Sequence, residues 1–139
     1  MKITTIGGGS TYSPELVQGF LERHAALGLR ELWLMDVDGE RLAVVGGFVR
    51  RMVAAAGAPF QIHLTTDRAA ALEGADFVVT QIRVGGMAAR REDEYLGRRW
   101  NLVGQETTGV GGMANALRTI PVILSIADDM QARCPDAWM

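Results

Sequence analysis

The sequence has few of the residues on which several classes of protein depend. Cys134 is its only cysteine, so neither an intramolecular disulfide nor a cysteine-based zinc site can form. Histidine occurs twice, and aromatic residues make up only 6% of the chain. No uninterrupted apolar run approaches the ~20 residues of a membrane span, and Lys2 leads straight into strand-like sequence rather than a signal peptide. These absences predict a cytoplasmic protein without a membrane partner.

Neither sign of charge is in large excess, because the formal net charge is −2. A general nucleic-acid binder needs a cationic field, so nucleic acid is not an expected partner. All basic residues except Lys2 are arginines, which suit bidentate recognition of carboxylate or phosphate. The length of 139 residues, with 48% hydrophobic and 22% charged content, predicts one globular domain and excludes disorder.

Short apolar segments alternate with helical patterns along the chain. Strands are predicted over 2–6, 31–35, 60–65 and 77–82, and helices over 13–28, 38–56, 67–72, 86–99 and 114–133. Ser13 is predicted to cap the first helix, with Pro14 at its first position. Residues 137–139 resemble the opening of a fifth strand. Apolar strands alternating with helices predict a Rossmann-like, doubly wound parallel sheet with helices on both faces.

A glycine-rich turn, Gly7-Gly8-Gly9-Ser10-Thr11-Tyr12, follows the first strand. Gly7 and Gly9 match the first two positions of G-x-G-x-x-G, and Tyr12 occupies the third. Asp36 ends the second strand, where an acidic residue hydrogen-bonds the adenosine ribose and repels a 2′-phosphate. The pattern predicts NAD binding, with a plain glycine turn and a helix-capping Asp as the alternative. Arg41 lies either over the adenine or in solvent.

Two further segments carry polar residues that suggest a ligand. Residues 83–99 contain Arg83, Arg90, Arg91, Arg98 and Arg99. An arginine after the fourth strand could hold an anionic group. Alternatively, these arginines could stabilise the helix through i,i+4 ion pairs such as Glu94 with Arg98. Residues 104–112 hold four glycines just before a helix, which suggests a loop shaped around a ligand. Glu106 in that loop is either a buried acid that tunes a neighbour or an exposed charge.

Several motifs together strongly resemble glycoside hydrolase family 4, in particular its 6-phospho-β-glucosidases. They are Gly-Gly-Gly-Ser-Thr-Tyr-Ser-Pro-Glu-Leu-Val (7–17), Thr-Thr-Asp-Arg (65–68), Gly-Ala-Asp-Phe-Val (74–78), Gln-Ile-Arg-Val-Gly-Gly (81–86), Gly-Gln-Glu-Thr-Thr-Gly (104–109), Ala-Leu-Arg-Thr-Ile-Pro (116–121) and Cys-Pro-Asp-Ala-Trp (134–138). One departure is Val110, where the family usually has proline.

The resemblance implies a glycosidase that departs from the usual pair of catalytic carboxylates. In the family, NAD⁺ takes hydride from C3 of a 6-phosphorylated sugar, and a tyrosine removes the C2 proton. The C1–O bond then breaks by elimination, water adds, and the hydride returns. A divalent metal, usually Mn²⁺, polarises the C2 and C3 oxygens.

The resemblance also implies roles for individual residues. Arg90 aligns with a substrate-contacting arginine, and Glu106 with an acid that raises the basicity of the catalytic tyrosine. The cofactor set is Gly7, Gly8, Gly9, Ser10, Thr11, Asp36, Arg41 and Arg83. The family's metal ligands and tyrosine follow the Pro-Asp-Ala-Trp segment, so no metal ligand is assigned within this chain.

The chain is therefore expected to be the N-terminal NAD-binding domain (1–139) of a longer enzyme, inactive alone and acting, when whole, on a phosphorylated glucoside or disaccharide. An unpaired sheet edge predicts a homo-oligomer. Two alternatives stay open. One is a stand-alone NAD-binding module, and the other is half of a lactate/malate-type dehydrogenase, which has no counterpart of the 104–109 loop.

Overall fold

The computed structural model describes residues 1–139 and contains a four-stranded sheet with five helices. The strands are β1 (Lys2–Ile6), β2 (Glu31–Met35), β3 (Gln61–Thr65) and β4 (Phe77–Thr80). The helices are α1 (Ser13–Leu27), α2 (Gly39–Ala55), α3 (Arg68–Leu72), α4 (Gly86–Arg98) and α5 (Gly109–Arg133). All neighbouring strands are parallel, in the order β3-β2-β1-β4. The predicted Rossmann-like fold class is confirmed.

The chain divides into two compact units, each described below by itself. The first unit comprises Met1–Ile82 and Asp129–Met139, and the second comprises Arg83–Asp128. The sheet and helices α1 to α3 belong to the first unit. The second unit contains α4 and most of α5.

The core of the first unit follows from the two-residue period of its strands. Leu32 lies beside Ile3 in the parallel register, and Leu34 lies two residues further on the same face. Both leucines are fully buried, with Val17 of α1 and Val49 of α2 in the same cluster. Burial of each such side chain stabilises the fold by about 1.5–3 kcal/mol.

The opposite face of the sheet is covered by α3. Thr4 is fully buried, and its hydroxyl donates a hydrogen bond to the carbonyl of Ala71, at 2.7 Å. Right-handed crossovers place α1 and α2 on one face and carry the chain to the other face after β3. Helices therefore lie on both faces, as predicted.

The helix ends of the first unit agree with the sequence pattern except at Ser13. Gly28 ends α1 in the left-handed conformation, with φ +61°. The carboxylates of Asp38 and Asp67 accept backbone hydrogen bonds at the starts of α2 and α3. The prediction for Ser13 is wrong. Tyr12 is the N-cap residue, and it makes no side-chain cap bond. Ser13 does not cap the helix because its buried hydroxyl donates to Gly8 O.

In the second unit, α5 begins five residues earlier than the pattern predicts. Gly109 to Gly112 suggested a loop because glycine is a weak helix former. A Cβ at Gly111 would overlap the carbonyl of Gln105, and one at Gly112 would lie 2.6 Å from that of Thr107. Close packing of the preceding backbone on the first turn of α5 therefore explains these two glycines.

By length and composition α5 is able to cross a membrane. An 18-residue window within it has a mean hydropathy of 1.4, and 11% of that window is buried. The sequence expectation counted only uninterrupted apolar runs, so it overlooked a stretch that Arg118 interrupts. That arginine makes an ion pair with Asp93 of α4. One such helix is weak evidence of a membrane segment.

The predicted opening of a fifth strand is seen as a single bridge. Trp138 pairs in parallel with Phe77, and the Val78 amide donates to its carbonyl at 2.8 Å. The bridge continues the sheet on the free side of β4. Trp138 itself remains 75% exposed.

Candidate functional site

The glycine turn of the first unit is shaped by close backbone approaches. The amides of Gly7 and Gly8 both donate to the carbonyl of Met35, at 2.9 and 2.8 Å. Gly7 has φ +93°, and a Cβ there would lie 2.6 Å from the carbonyl oxygen of Gln81. A Cβ at Gly8 would lie 2.7 Å from the Cβ of Leu34. Only glycine fits these positions, which hold the turn against the ends of β2 and β4.

Two polar side chains that the sequence pattern did not assign to this site form hydrogen bonds to the same turn. The Gln81 side-chain amide donates to Ser13 Oγ at 2.6 Å and to Gly7 O at 3.1 Å. Ser13 Oγ donates to Gly8 O at 2.8 Å. A polar residue ending an otherwise apolar strand was the one available sign of Gln81's role. Nothing local separated Ser13 from an ordinary cap.

Asp36 and Arg41 both contact the glycine turn. The Gly9 amide donates to Asp36 Oδ2 at 2.8 Å, and the Asp38 amide donates to Oδ1 at 3.0 Å. Arg41 Nε donates to Gly9 O at 2.8 Å. Each oxygen of an ionised carboxylate has two lone pairs, so Asp36 keeps the capacity to accept hydrogen bonds from a ribose.

The residues present fit the binding of a dinucleotide. Ser10 and Thr11 follow the glycines directly before α1, whose N-terminal amides carry partial positive charge. Thr11 and Tyr12 are exposed, so the helix start is open to a ligand. A diphosphate at this helix start and a ribose at Asp36 would occupy the two ends of one turn.

The second unit contains a cluster of charged side chains around Glu106, here called the arginine–glutamate cluster (Arg83, Arg90, Glu94, Glu106). Arg83 Nη1 and Arg90 Nε each lie 2.7 Å from Glu106 Oε2. Arg90 Nε also lies 2.9 Å from Glu94 Oε1. The structure therefore brings together the three predicted site residues of the second unit, Arg83, Arg90 and Glu106.

The charges of the arginine–glutamate cluster balance, with two arginines against two glutamates. The hydrogen bond that Arg90 donates to Glu94, and then the charges of Glu106 and Glu94, raise the pKa of Arg90. Arg90 makes these contacts through Nε, which leaves its two terminal nitrogens without a partner in the chain. Those nitrogens are the part of the cluster that can hold an anion.

The remaining arginines of this segment follow the structural alternative. Glu94 pairs with Arg90 rather than with Arg98, whose guanidinium lies over the Tyr95 ring at 5.4 Å. Arg99 pairs with Glu92 at 3.1 Å. The predicted pair of Glu94 with Arg98 is therefore wrong, although other ion pairs are present on this helix, and the binding of an anion by one of its arginines stays a prediction.

A buried ion pair between α4 and α5 was missed at the sequence level. Arg118 donates through Nη1 and Nη2 to the two oxygens of Asp93, at 3.1 and 2.5 Å. The Asp93 side chain is 6% exposed. Its hydrogen bonds raise the pKa of Arg118. The two residues are 25 positions apart, so no local pattern could link them.

The chain contains no group of three or more His, Cys, Asp and Glu side chains that could hold a metal ion. His24 lies on α1, His63 lies on β3, and Cys134 is buried in the first unit. The residues present therefore do not fit a metal centre.

A parallel sheet with a glycine turn after β1 and an acidic residue after β2 is the dinucleotide-binding class of α/β fold. Within that class the chain belongs to family 4 of the glycosyl hydrolases, whose family model matches residues 2–139. The predicted family is confirmed.

Two relatives are similar over the whole chain. A probable 6-phospho-β-glucosidase of Bacillus subtilis (strain 168) is 55% identical, and a 6-phospho-β-glucosidase of Escherichia coli (strain K12) is 47% identical. All of this chain aligns, with 32% and 31% of the two relatives. The chain thus spans about a third of the length of the curated relatives it matches.

Solved structures agree with this placement. The 6-phospho-β-glucosidase of Thermotoga maritima with manganese, NAD⁺ and glucose 6-phosphate has a TM-score of 0.93 and is 36% identical. The match covers 99% of this chain and 33% of that one. The expected cofactors, NAD and manganese, are thus present in a structural neighbour. A malate dehydrogenase of Salinibacter ruber, at 15% identity and a TM-score of 0.59, shares the fold alone.

Proposed function

We propose that residues 1–139 form the NAD-binding domain of a cytoplasmic 6-phospho-β-glucosidase that depends on NAD and a divalent metal. The observation that carries this proposal is the glycine turn closed by Asp36, at 2.8 Å from the Gly9 amide, in a chain of this family. The substrate of the whole protein is a phosphorylated glucoside or disaccharide.

The first unit supplies the cofactor site. Gly7, Gly8 and Gly9 allow the diphosphate to approach the backbone, and Ser10 and Thr11 face it at the start of α1. Asp36 accepts the ribose hydroxyls, and its charge repels a 2′-phosphate. Arg41, fixed on Gly9 O, borders the adenine side of the turn. Bound NAD⁺ would supply a hydride acceptor at the sugar's C3.

The second unit supplies part of the substrate site. Arg90 holds an oxygen of the phosphorylated sugar through its terminal nitrogens, since Nε is already engaged by Glu94 and Glu106. Arg83 borders the cofactor, and its charge is balanced by Glu106 at 2.7 Å. In the whole protein, Glu106 raises the basicity of a tyrosine that removes the C2 proton, before elimination of the C1–O bond and addition of water.

Titration of the chain with NAD⁺ and NADP⁺ tests the cofactor site. We expect NAD⁺ to bind more tightly by about tenfold, because Asp36 accepts the ribose and repels a 2′-phosphate. Asp36→Asn keeps a carbonyl oxygen for the Gly9 amide but removes the charge, so this preference should shrink. Asp38→Asn is the matched control, because Asn caps a helix as well as Asp does. Equal binding of both nucleotides by the wild-type chain would contradict the site.

Hydrolysis assays test whether residues 1–139 lack the catalytic residues of the whole protein. The chain alone, with a chromogenic 6-phospho-β-glucoside, NAD⁺ and Mn²⁺, should show no turnover, because it lacks a metal centre. Turnover by the chain would show that the metal ligands and the base lie within it. Binding of NAD⁺ without any response to glucose 6-phosphate would favour the second candidate, a stand-alone NAD-binding module.

Residues 1–139 by themselves are further proposed to self-associate into a homo-oligomer. The sheet continues past β4 only through the single bridge at Trp138, and Phe77, Trp138 and Met139 are 43%, 75% and 55% exposed. Exposed apolar side chains beside an open strand favour association. Light scattering should give a mass above 15.0 kDa, and a strict monomer at high concentration would contradict this.

A further inference from the structure

The pair of buried Asp93 and half-buried Arg118 has no part in the proposed chemistry, and its contacts lie next to the residues that do. Arg118 uses its whole guanidinium: Nη1 and Nη2 donate to the two oxygens of Asp93, and Nε donates to the carbonyl of Val84 at 2.8 Å. Val84 adjoins Arg83, and Asp93 lies on α4 between Arg90 and Glu94. One side chain therefore bonds the backbone next to Arg83 and the side chain of the residue next to Glu94, on the same turn of α4 that carries Arg90.

Two glycines border this arrangement, Gly85 at an ordinary contact distance and Gly111 more closely. A Cβ at Gly85 would lie 3.4 Å from Arg118 Nε, and φ there is +81°. A Cβ at Gly111 would lie 2.8 Å from the backbone carbonyl of Asp93. The backbone on both sides of the pair is thus held close to it, so a displacement of either charged group has to move its neighbours.

The difference in exposure decides which contacts provide the rigidity. The side chains of Arg90 and Glu94 are 35% and 42% exposed, and ion pairs at such exposure contribute little to stability. Asp93 is 6% exposed, and a buried carboxylate that loses its only cation is strongly unfavourable. The cluster's geometry therefore depends on the buried pair more than on the cluster's own contacts.

We infer that Asp93 and Arg118 are positioning residues, which hold Arg83 and Arg90, the two partners of Glu106, in the geometry needed to bind an anionic sugar substrate. The inference rests on the proposed function where it names the substrate. The geometric part, that the pair holds Arg90 against Glu94 and Glu106, stands by itself.

The first test observes Arg90 directly in the whole chain. In a ¹⁵N NMR spectrum the Nε–H signal of Arg90 is identified by its absence from Arg90→Lys. A proton that is hydrogen-bonded to the Glu94 carboxylate exchanges slowly with water, and Asp93→Asn should accelerate that exchange about tenfold. Glu92→Gln is the matched control: it removes the same charge from the preceding residue of α4, whose side chain is 54% exposed, and should leave the signal unchanged.

The second test measures binding of glucose 6-phosphate and of NAD⁺ to the same variants. Asp93→Asn should weaken glucose 6-phosphate binding by about tenfold and leave NAD⁺ binding, which belongs to the first unit, unchanged. Arg118→Lys keeps the positive charge but loses the two parallel hydrogen bonds to Asp93, so it should produce the same pattern. It also provides a second variant in case Asp93→Asn does not fold.

The outcomes separate the inference from the proposed function. Wild-type exchange of the Arg90 proton in both variants overturns the inference. So does unfolding of both, because the pair would then be needed for folding in general. If the wild-type chain ignores glucose 6-phosphate while the variants accelerate exchange at Arg90, the proposed substrate fails and the positioning role holds.

Discussion

The two candidate sites obtain their shapes in different ways. In the first unit, the glycine turn is fixed by backbone atoms that leave no room for a Cβ at Gly7 or Gly8. In the second unit, the arginine–glutamate cluster is made of long, partly exposed side chains, and its order derives from the buried pair behind it. The shape of the first site depends on glycines, which have no side chain, and the shape of the second depends on contacts between charged side chains.

This difference separates stability from ligand binding. A substitution in the turn forces the sheet to move, so it should affect folding and NAD binding together. A substitution in the cluster changes charge at an exposed surface, so it should affect ligand binding with little effect on folding. The following substitutions test that separation.

The largest effect is expected for Gly8→Ala. The added methyl group would lie 2.7 Å from Leu34 Cβ and 2.9 Å from its Cα, so the two central strands have to shift. We expect a loss of about 1–3 kcal/mol in the free energy of unfolding, measured by urea denaturation, together with weaker NAD⁺ binding. Gly19→Ala is the control, because nothing lies within 4 Å of its Cβ position in α1, and it should stabilise the chain by about 0.4–1 kcal/mol. Equal effects of the two substitutions would contradict the close fit of the turn.

A smaller change in stability is expected for Glu106→Gln. Its carboxylate is 25% exposed and pairs with Arg83 and Arg90, so its loss should cost less than about 1 kcal/mol. The cluster then carries one net positive charge, and binding of inorganic phosphate should strengthen, as measured by calorimetry. Glu22→Gln removes the same charge from an exposed pair on α1 and should leave phosphate binding unchanged. Weaker phosphate binding by Glu106→Gln would show that the carboxylate organises the arginines more than it neutralises them.

The smallest effect is expected for the pH dependence of stability that arises from the buried thiol of Cys134 in the first unit. Burial raises the pKa of the Cys134 thiol above its ordinary value of 9.0. Above pH 9.0 the unfolded thiol ionises while the folded one stays neutral, so stability should fall as pH rises toward the folded pKa. Burial lowers the pKa of Lys2 from 10.5, which gives a contribution of the opposite sign. Comparison of wild type with Cys134→Ala isolates the effect of the thiol, including its charge interaction with Lys2, and parallel stability curves above pH 9.0 would contradict a raised thiol pKa.

The sequence predicted what depends on neighbours along the chain. The apolar strands gave the sheet, Asp38 and Gly28 marked helix ends, and the spacing of the glycine turn from Asp36 predicted one site. Contacts between distant residues were not predictable. The ion pair of Asp93 with Arg118 and the hydrogen bond from Gln81 to Ser13 depend on tertiary packing. For that reason Ser13, predicted to be a helix cap, instead bonds within the glycine turn. The early start of α5 was missed because glycine propensity was outweighed by a close backbone approach.

Asp36 closes the turn as well as facing the proposed ribose, because its two oxygens accept the amides of Gly9 and Asp38. A small neutral residue at this position would make room for a 2′-phosphate, but it would also release both amides. A change of cofactor preference therefore cannot arise by a single substitution here without loosening the loop that binds the cofactor. Evolution or engineering toward NADP would need a second change that closes the turn by other means.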